Sequence, residues 1–269
     1  MTDKDAVLKE VRGYMNSRIL LTACELDIFT LLDKEPRDAS SLAQNLQTDQ
    51  RALARLMDAL VAIGYMEKNN SVYSLTEAGA LLSNNHPESV LPMVLHLNET
   101  WNYWSNLTET VKKGVNPQRT PVTEKDEEQT KNFIGAMDVI GRDLAHDIAD
   151  SYDTYGFQKL LDIGGGPGTY TKAFLQKNPE LRAVLFDLPN VVSLAEQRLS
   201  REGLGDRVEF APGDFYQDEL PSGCDIALLS AIIHQNSPRE NLDLYAKICT
   251  ILPQGGVLLI RDHIMDDTR

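Results

Sequence analysis

Two hydrophobic rhythms divide the chain. In the first part, apolar positions recur at three- and four-residue steps, as at Val7, Val11 and Tyr14/Met15, and Ile19-Leu20-Leu21 continues them. That spacing predicts short amphipathic helices. Asp38 or Ser40 is placed to cap a helix carrying Leu42, Ala43 and Leu46, since a side-chain oxygen there satisfies a free helical N–H. The next helix aligns Leu53, Leu56/Met57, Leu60 and Ile63 on one stripe, and Gly64 ends it. Asn69-Asn70 predicts a turn between two strand-like pieces, Tyr65–Lys68 and Ser71–Leu75.

Two helices followed by a small hairpin form a winged-helix pattern, and residues 1–98 are read as that domain. Residues 99–155 continue as helix, with an aromatic group at Trp101, Tyr103 and Trp104. The polar stretch Lys112–Lys131 predicts an exposed connection, and FIGAMDVIGRDLAHDIADSYD another amphipathic helix. From 156 onward the rhythm changes. Apolar runs at Lys159–Ile163, Ala183–Phe186, Val208–Ala211, Ile226–Leu229 and Val257–Ile260 alternate with helical stretches at Tyr170–Lys177, Val191–Arg201 and Asn241–Leu252. Strands buried on both faces read as continuous apolar runs, so residues 156–269 predict an α/β fold: a doubly wound, mostly parallel sheet covered by helices.

Charge narrows the partners. The 26 Lys and Arg face 40 Asp and Glu, a net charge of −14, which repels phosphate backbones and anionic lipid surfaces. Residues 1–98 hold nine Lys and Arg against thirteen Asp and Glu, and Asp49 and Asp58 flank Arg51 and Arg55 on the second helix of the winged-helix pattern. A DNA-reading surface needs a basic footprint, so dimerisation is the expected role of this domain, with no nucleic-acid partner. No apolar run reaches the ~18–20 residues of a membrane span, and Met1–Glu10 is too acidic for a signal peptide. Cys24, Cys224 and Cys249 are scattered and odd in number, so no disulfide framework or metal site is expected and a cytoplasmic location fits.

The chemistry concentrates in KLLDIGGGPGTYTKAFL, where an apolar strand ends at Asp162-Ile163, glycines stand at 164, 165, 166 and 168, and a helix opens near Tyr170. Such a turn lets backbone approach a ligand closely, with helical N–H groups aimed at the same place. A dinucleotide loop has the spacing G-x-G-x-x-G. Counted from Gly164 and Gly166, its third glycine falls on Thr169, which disfavours a nicotinamide enzyme. Asp187 ends the second strand, 23 residues after Gly164, where a carboxylate can accept from both ribose hydroxyls; Asp214 stands 27 residues further on with Phe215 beside it. These acids and the turn fall at the carboxyl edge of one parallel sheet, where such folds bind ligands.

With these residues the chain resembles the class I S-adenosylmethionine-dependent small-molecule O-methyltransferases that carry an N-terminal winged-helix dimerisation domain. The resemblance extends over WNYWSNLTETVKKG, the FIGAM helix, DIGGGPG, LFDLP, PGDF, SAIIHQN and LPQGGVLLIRD. It implies a Rossmann-like methyltransferase domain in which Gly164, Gly165 and Gly166 line the methionine moiety of S-adenosylmethionine. It further implies that Asp187 holds the ribose, Asp214 and Phe215 contact the adenine, and Ser230 touches the cofactor. His234 matches the catalytic base, and Trp104, Phe133 and Met137 fall in segments that wall the acceptor pocket. A homodimer acting on a small-molecule acceptor is implied, with S-adenosylhomocysteine as product.

Full proton transfer from a phenol of pKa ~10 to a free imidazole at ~6.5 would cost about 5 kcal/mol, so the proton moves as the oxygen attacks. Members commonly read His-Asp-Trp where this chain has His234-Gln235-Asn236, and Arg261 stands where plant-type enzymes place an orienting Glu. Asp262 could substitute, but neighbouring strand residues point to opposite faces, which favours an unassisted base. Members also continue beyond a fifth strand, whereas VLLI here is expected at an uncovered sheet edge, as in a piece of a longer enzyme or a chain whose partner covers that edge. The leading expectation is methyl transfer to a hydroxyl of an aromatic or polyketide-like metabolite. The alternative is a cofactor-binding but weakly active or inactive partner subunit.

Overall fold

The computed structural model describes residues 3–115 and 126–266. Part of the expected polar connection and the last three residues lie outside that range. The chain divides into two compact units, Met1–Thr120 and Pro121–Arg269.

In the first unit, α1 (Asp3–Glu25), α2 (Ile28–Lys34), α3 (Ala39–Leu46) and α4 (Gln50–Ala62) precede β2 (Met66–Asn69) and β3 (Val72–Leu75). Short α5 (Glu77–Ala80), then α6 (Leu91–Ser105) and α7 (Leu107–Lys113), follow. Of the two candidate caps, Asp38 is the one used, its carboxylate accepting from the N–H groups of Ser40 and Ser41. The hairpin turn sits one residue later than expected, at Asn70-Ser71, with Asn70 left-handed at φ 57°. A two-residue strand, β1 (Arg37–Asp38), pairs with β3 and completes a three-stranded antiparallel sheet. Ile28, Phe29, Leu42, Leu53, Met57, Leu60 and Tyr73 close one core around these elements.

In the second unit, α8 (Glu127–Ser151) leads into a five-stranded parallel sheet of order β6-β5-β4-β7-β8. Its strands are β4 (Lys159–Ile163), β5 (Arg182–Asp187), β6 (Val208–Pro212), β7 (Ile226–Ser230) and β8 (Val257–Arg261). Connecting helices are α9 (Thr169–Lys177), α10 (Pro189–Arg201) and α11 (Pro238–Ile251). The pleat sorts side chains strictly: Leu160, Ala183, Leu185, Ile226 and Leu228 pack with α8, α9 and α10, while Leu161, Ile163, Val184, Phe186, Ala227 and Leu229 pack with α11. The sheet is therefore covered on both faces, as doubly wound folds require.

Two polar devices hold this unit. The Arg207 guanidinium donates to the carbonyls of Leu175, Asn178 and Leu181 at 2.7–3.2 Å, tying off the α9–β5 connection. The Asp162 side chain is fully buried and accepts from the Thr171 hydroxyl at 2.6 Å. Burial pushes its carboxyl up to about 6, the charge of Asp187 adds to the rise, and the Thr171 bonds oppose it.

Arg207→Ala leaves three carbonyls without their donor, so we expect a loss of about 2–3 kcal/mol in chemical denaturation; a change below about 0.5 kcal/mol would show that water replaces the guanidinium at no cost. Asp162 carries a pH signature. Between the ordinary carboxylate range near ~3.9 and about 6, the unfolded chain ionises while the folded carboxyl stays protonated, so stability falls with rising pH in that window. Asp162→Asn removes the dependence. Its melting temperature should gain on the wild type from pH 4.5 to 7.5, and an equal difference at both ends would contradict the shifted carboxyl.

Candidate active site

Parallel pairing of β4 with β5 and β7 brings Ile163, Phe186 and Leu229 level, so their carboxyl ends open onto one edge. The glycine turn is wound over that edge. Gly164 N–H donates to the Phe186 carbonyl at 2.8 Å, and Gly166 N–H to the Asp187 carboxylate at 2.8 Å. Gly164 is left-handed at φ 69°, a conformation that costs a side-chain-bearing residue about 1 kcal/mol or more. Gly165 fits for a different reason: a Cβ there would stand 2.8 Å from Leu185 Cγ and 3.1 Å from Asp162 Cγ. At Gly166 a Cβ would meet nothing within 4 Å, so the turn faces open space.

Asp187 accepts from Gly166 N–H and Leu188 N–H, and burial raises its carboxyl against the pull of those two bonds. Each acid has its own donors, the Thr171 hydroxyl for Asp162 and backbone N–H groups for Asp187. Two acids under one turn set up a negative potential suited to a cation. Ser230 Oγ, at the end of β7, is buried and has no hydrogen-bond partner among the described residues. These are features that an adenosyl sulfonium would satisfy, and the residues fit it.

Phe215 lies beside the turn, its Cε1 3.6 Å from where a Gly164 Cβ would be, and its ring meets Tyr216 at a centroid distance of 4.4 Å. Asp214 caps its own turn, accepting from Tyr216 N–H and Gln217 Nε2 at 2.9 Å each. Each carboxylate oxygen of Asp214 keeps a second lone pair beyond these bonds. Between Ser230 and Ile232, Ala231 is left-handed at φ 56° and is held there by its N–H to the Arg261 carbonyl.

His234 sits on the short 3-10 turn Ile233–Gln235 that follows. The expectation of an unassisted base does not hold for this geometry. His234 Nδ1 lies 2.8 Å from Asp262 Oδ1, with the imidazole 44% exposed and the carboxylate 2% exposed. The pleat rule applies only inside a strand, and β8 ends at Arg261. One residue later the backbone has left the ladder, and Asp262 turns toward the histidine that Arg261 does not reach. Its second oxygen accepts from the N–H groups of Ile233 and His234 at 2.9 and 3.3 Å. Burial alone would raise this carboxyl, but hydrogen bonds from His263 N–H and the His234 ring outweigh it and hold the pKa below the ordinary range. An ionised carboxylate only accepts, so Nδ1 carries a proton, and in the neutral ring Nε2 is then the free base.

The remaining candidates are carried by helices. Phe133 and Met137 are half-buried on α8 in the second unit. Trp104 is on α6 of the first unit and 68% exposed. Among the described residues no group of His, Cys, Asp and Glu is arranged to hold a metal, and no helix is long and apolar enough to cross a membrane. The three cysteines are free.

Known proteins resemble this chain along both units. The O-methyltransferase dimerisation domain family matches residues 8–85, and the O-methyltransferase domain family matches residues 104–269. The O-methyltransferase SfmM3 of Streptomyces lavendulae is 36% identical, over 92% of this chain and 77% of its own. The tetracenomycin polyketide synthesis 8-O-methyl transferase TcmO of Streptomyces glaucescens is 29% identical, over 98% of this chain and 79% of its own. The crystal structure of LaPhzM superposes with a TM-score of 0.90 at 28% identity, covering 97% of this chain and 81% of that one. A glycine turn over paired acids, an acid-held histidine at the same sheet edge and these matches along both units place the chain in the S-adenosylmethionine-dependent O-methyltransferase family, with its dimerisation domain first.

Proposed function

We propose that this enzyme methylates a hydroxyl, phenolic in character, on a small aromatic or polyketide-like acceptor, with His234 as general base. The observation that carries this reading is the 2.8 Å contact of His234 Nδ1 with the buried Asp262 carboxylate. In the neutral ring it directs the basic Nε2 away from Asp262, on an exposed imidazole at the end of the sheet that carries the glycine turn. The acceptor class draws support from relatives whose names specify polyketide, naphthoate and mitomycin pathways.

S-adenosylmethionine supplies, when bound, a methyl group made electrophilic by its sulfonium. Gly164, Gly165 and Gly166 are assigned to its methionine part, Asp187 to the ribose hydroxyls, Asp214 and Phe215 to the adenine, and Ser230 Oγ to a further cofactor contact. His234 Nε2 would take the acceptor's hydroxyl proton and later give it to water; bound S-adenosylmethionine would supply the methyl group, its S–C bond breaking to leave S-adenosylhomocysteine. Asp262 stays ionised throughout and stabilises the imidazolium. Holding the reacting atoms ~3 Å apart and in line contributes several kcal/mol more. Phe133 and Met137 are assigned to acceptor contact, and the exposed Trp104 ring is a candidate of the same kind. A reducing, cytoplasmic location suits the free cysteines.

The dimerisation domain is read as forming a homodimer. On α1, Val7 and Val11 are 61% and 64% exposed and Tyr14 and Met15 about half exposed, an apolar stripe that a second copy would cover.

His234→Ala should lower kcat by roughly 10²–10⁴ while the affinity for S-adenosylhomocysteine stays unchanged. Asp262→Asn should cost nearly as much, because an amide can donate to Nδ1 and move the proton to Nε2. Turnover within about threefold of wild type in both variants would take the pair out of the mechanism. Val11→Arg should convert a dimer to a monomer in sedimentation; a wild-type chain that sediments as a monomer would remove the dimer.

A further inference from the structure

Thr169, the first residue of α9, is the position where the glycine spacing departs from a dinucleotide loop. In the fold it is a junction. Its hydroxyl donates to Asp138 Oδ1 at 2.7 Å and accepts from Arg198 Nη1 at 3.0 Å. The same Asp138 oxygen lies 2.7 Å from Arg198 Nη2, and the other accepts from Arg142 Nη2 at 3.1 Å. Arg198 Nη1 also donates to the Pro167 carbonyl, inside the glycine turn, at 3.3 Å. One carboxylate on α8 thereby gathers the exit of the turn and a guanidinium from α10.

The turn needs such an anchor. Its entry is fixed to β5 through Gly164 N–H and Gly165 N–H on the Phe186 carbonyl. A segment of four glycines has unusual freedom to lose, and an unanchored exit would pay that entropy each time a ligand binds. Isolated surface ion pairs contribute about 0–1 kcal/mol. Here the carboxylate is 18% exposed and Arg198 27% exposed, and the bonds are shared, so each orders the next. The helix that provides Asp138 also carries Phe133 and Met137.

We propose that Asp138, acting through Thr169 and Arg198, is a positioning residue that fixes the exit of the glycine turn for the cofactor and couples that turn to the helix assigned to acceptor contact. This rests on the reading of the turn as the S-adenosylmethionine site. A mere stabilising cluster would affect unfolding but not affinity, so the two are separable.

The test is calorimetric titration of the full chain with S-adenosylhomocysteine, alongside thermal melts and steady-state kinetics. Asp138→Asn removes the charge, and Thr169→Val removes only the hydroxyl, so it decides the matter if the first variant fails to fold. Glu202→Gln is the reference, because Glu202 pairs with Arg198 Nε at 3.4 Å and Lys172 at 2.7 Å but reaches neither the turn nor α8. Asp138→Asn and Thr169→Val should each weaken binding about tenfold and raise the cofactor KM with kcat at saturation kept, whereas Glu202→Gln should bind within about twofold of wild type. Affinity within about twofold of wild type in both, or an equal loss in Glu202→Gln, overturns the proposal. Asp187→Ala separates the premise: if it too binds as wild type, the cofactor-site reading falls and the proposal with it.

Discussion

The hydrogen bond from Gly166 N–H to the Asp187 carboxylate, with the Gly164 bond to the Phe186 carbonyl beneath it, wraps the turn after β4 over the end of β5. This contact requires β4 and β5 to be parallel and in register, Ile163 level with Phe186. It requires residues without a Cβ where Leu185 and Asp162 crowd the turn. It also requires a carboxylate to remain close to backbone donors in a place that burial makes unfavourable for it. Once these hold, Ser230 and the His234 turn fall beside the same opening, since β7 is the other neighbour of β4.

The electrostatics follow from the same placement. Burial raises the cost of ionising both Asp162 and Asp187, and the charge of Asp187 adds to the cost for Asp162. A bound cation would relieve that cost, whereas an uncharged product would not do so to the same degree. Asp262 is arranged the opposite way. It is buried as well, yet three N–H donors and an imidazole converge on it, and its carboxyl is held low. One edge of the sheet therefore carries acids that gain from a positive ligand and one acid already satisfied by the base it holds.

Much of this was legible in the sequence, for identifiable reasons. Strands buried on two faces announce themselves as LLDI, AVLF and IALL, and an Asp or Ser ahead of an apolar stripe marks a helix start. β1 was not legible: two residues, Arg37 and Asp38, carry no period, and their pairing with β3 depends on tertiary contact. The hairpin turn slipped by one residue because Asn69 and Asn70 tolerate the left-handed region equally well, and only the register at Asn69 and Val72 selects the second. The partner of His234 was concealed because alternation was extended one residue beyond the strand that obeys it. Asp138 and Arg198 gave no signal, since charges on two helices 60 positions apart look like solvated faces until Thr169 brings them together.

The attachment of Asp262 has a mechanical implication. It leaves β8 directly, and among the described residues β8 pairs only with β7. The imidazole is thus tied to one of the two edge strands of the sheet, and the Ala231 N–H to Arg261 carbonyl bond links the His234 loop to it. Asp262, and through it the orientation of the His234 ring, is therefore set by where that outer strand lies.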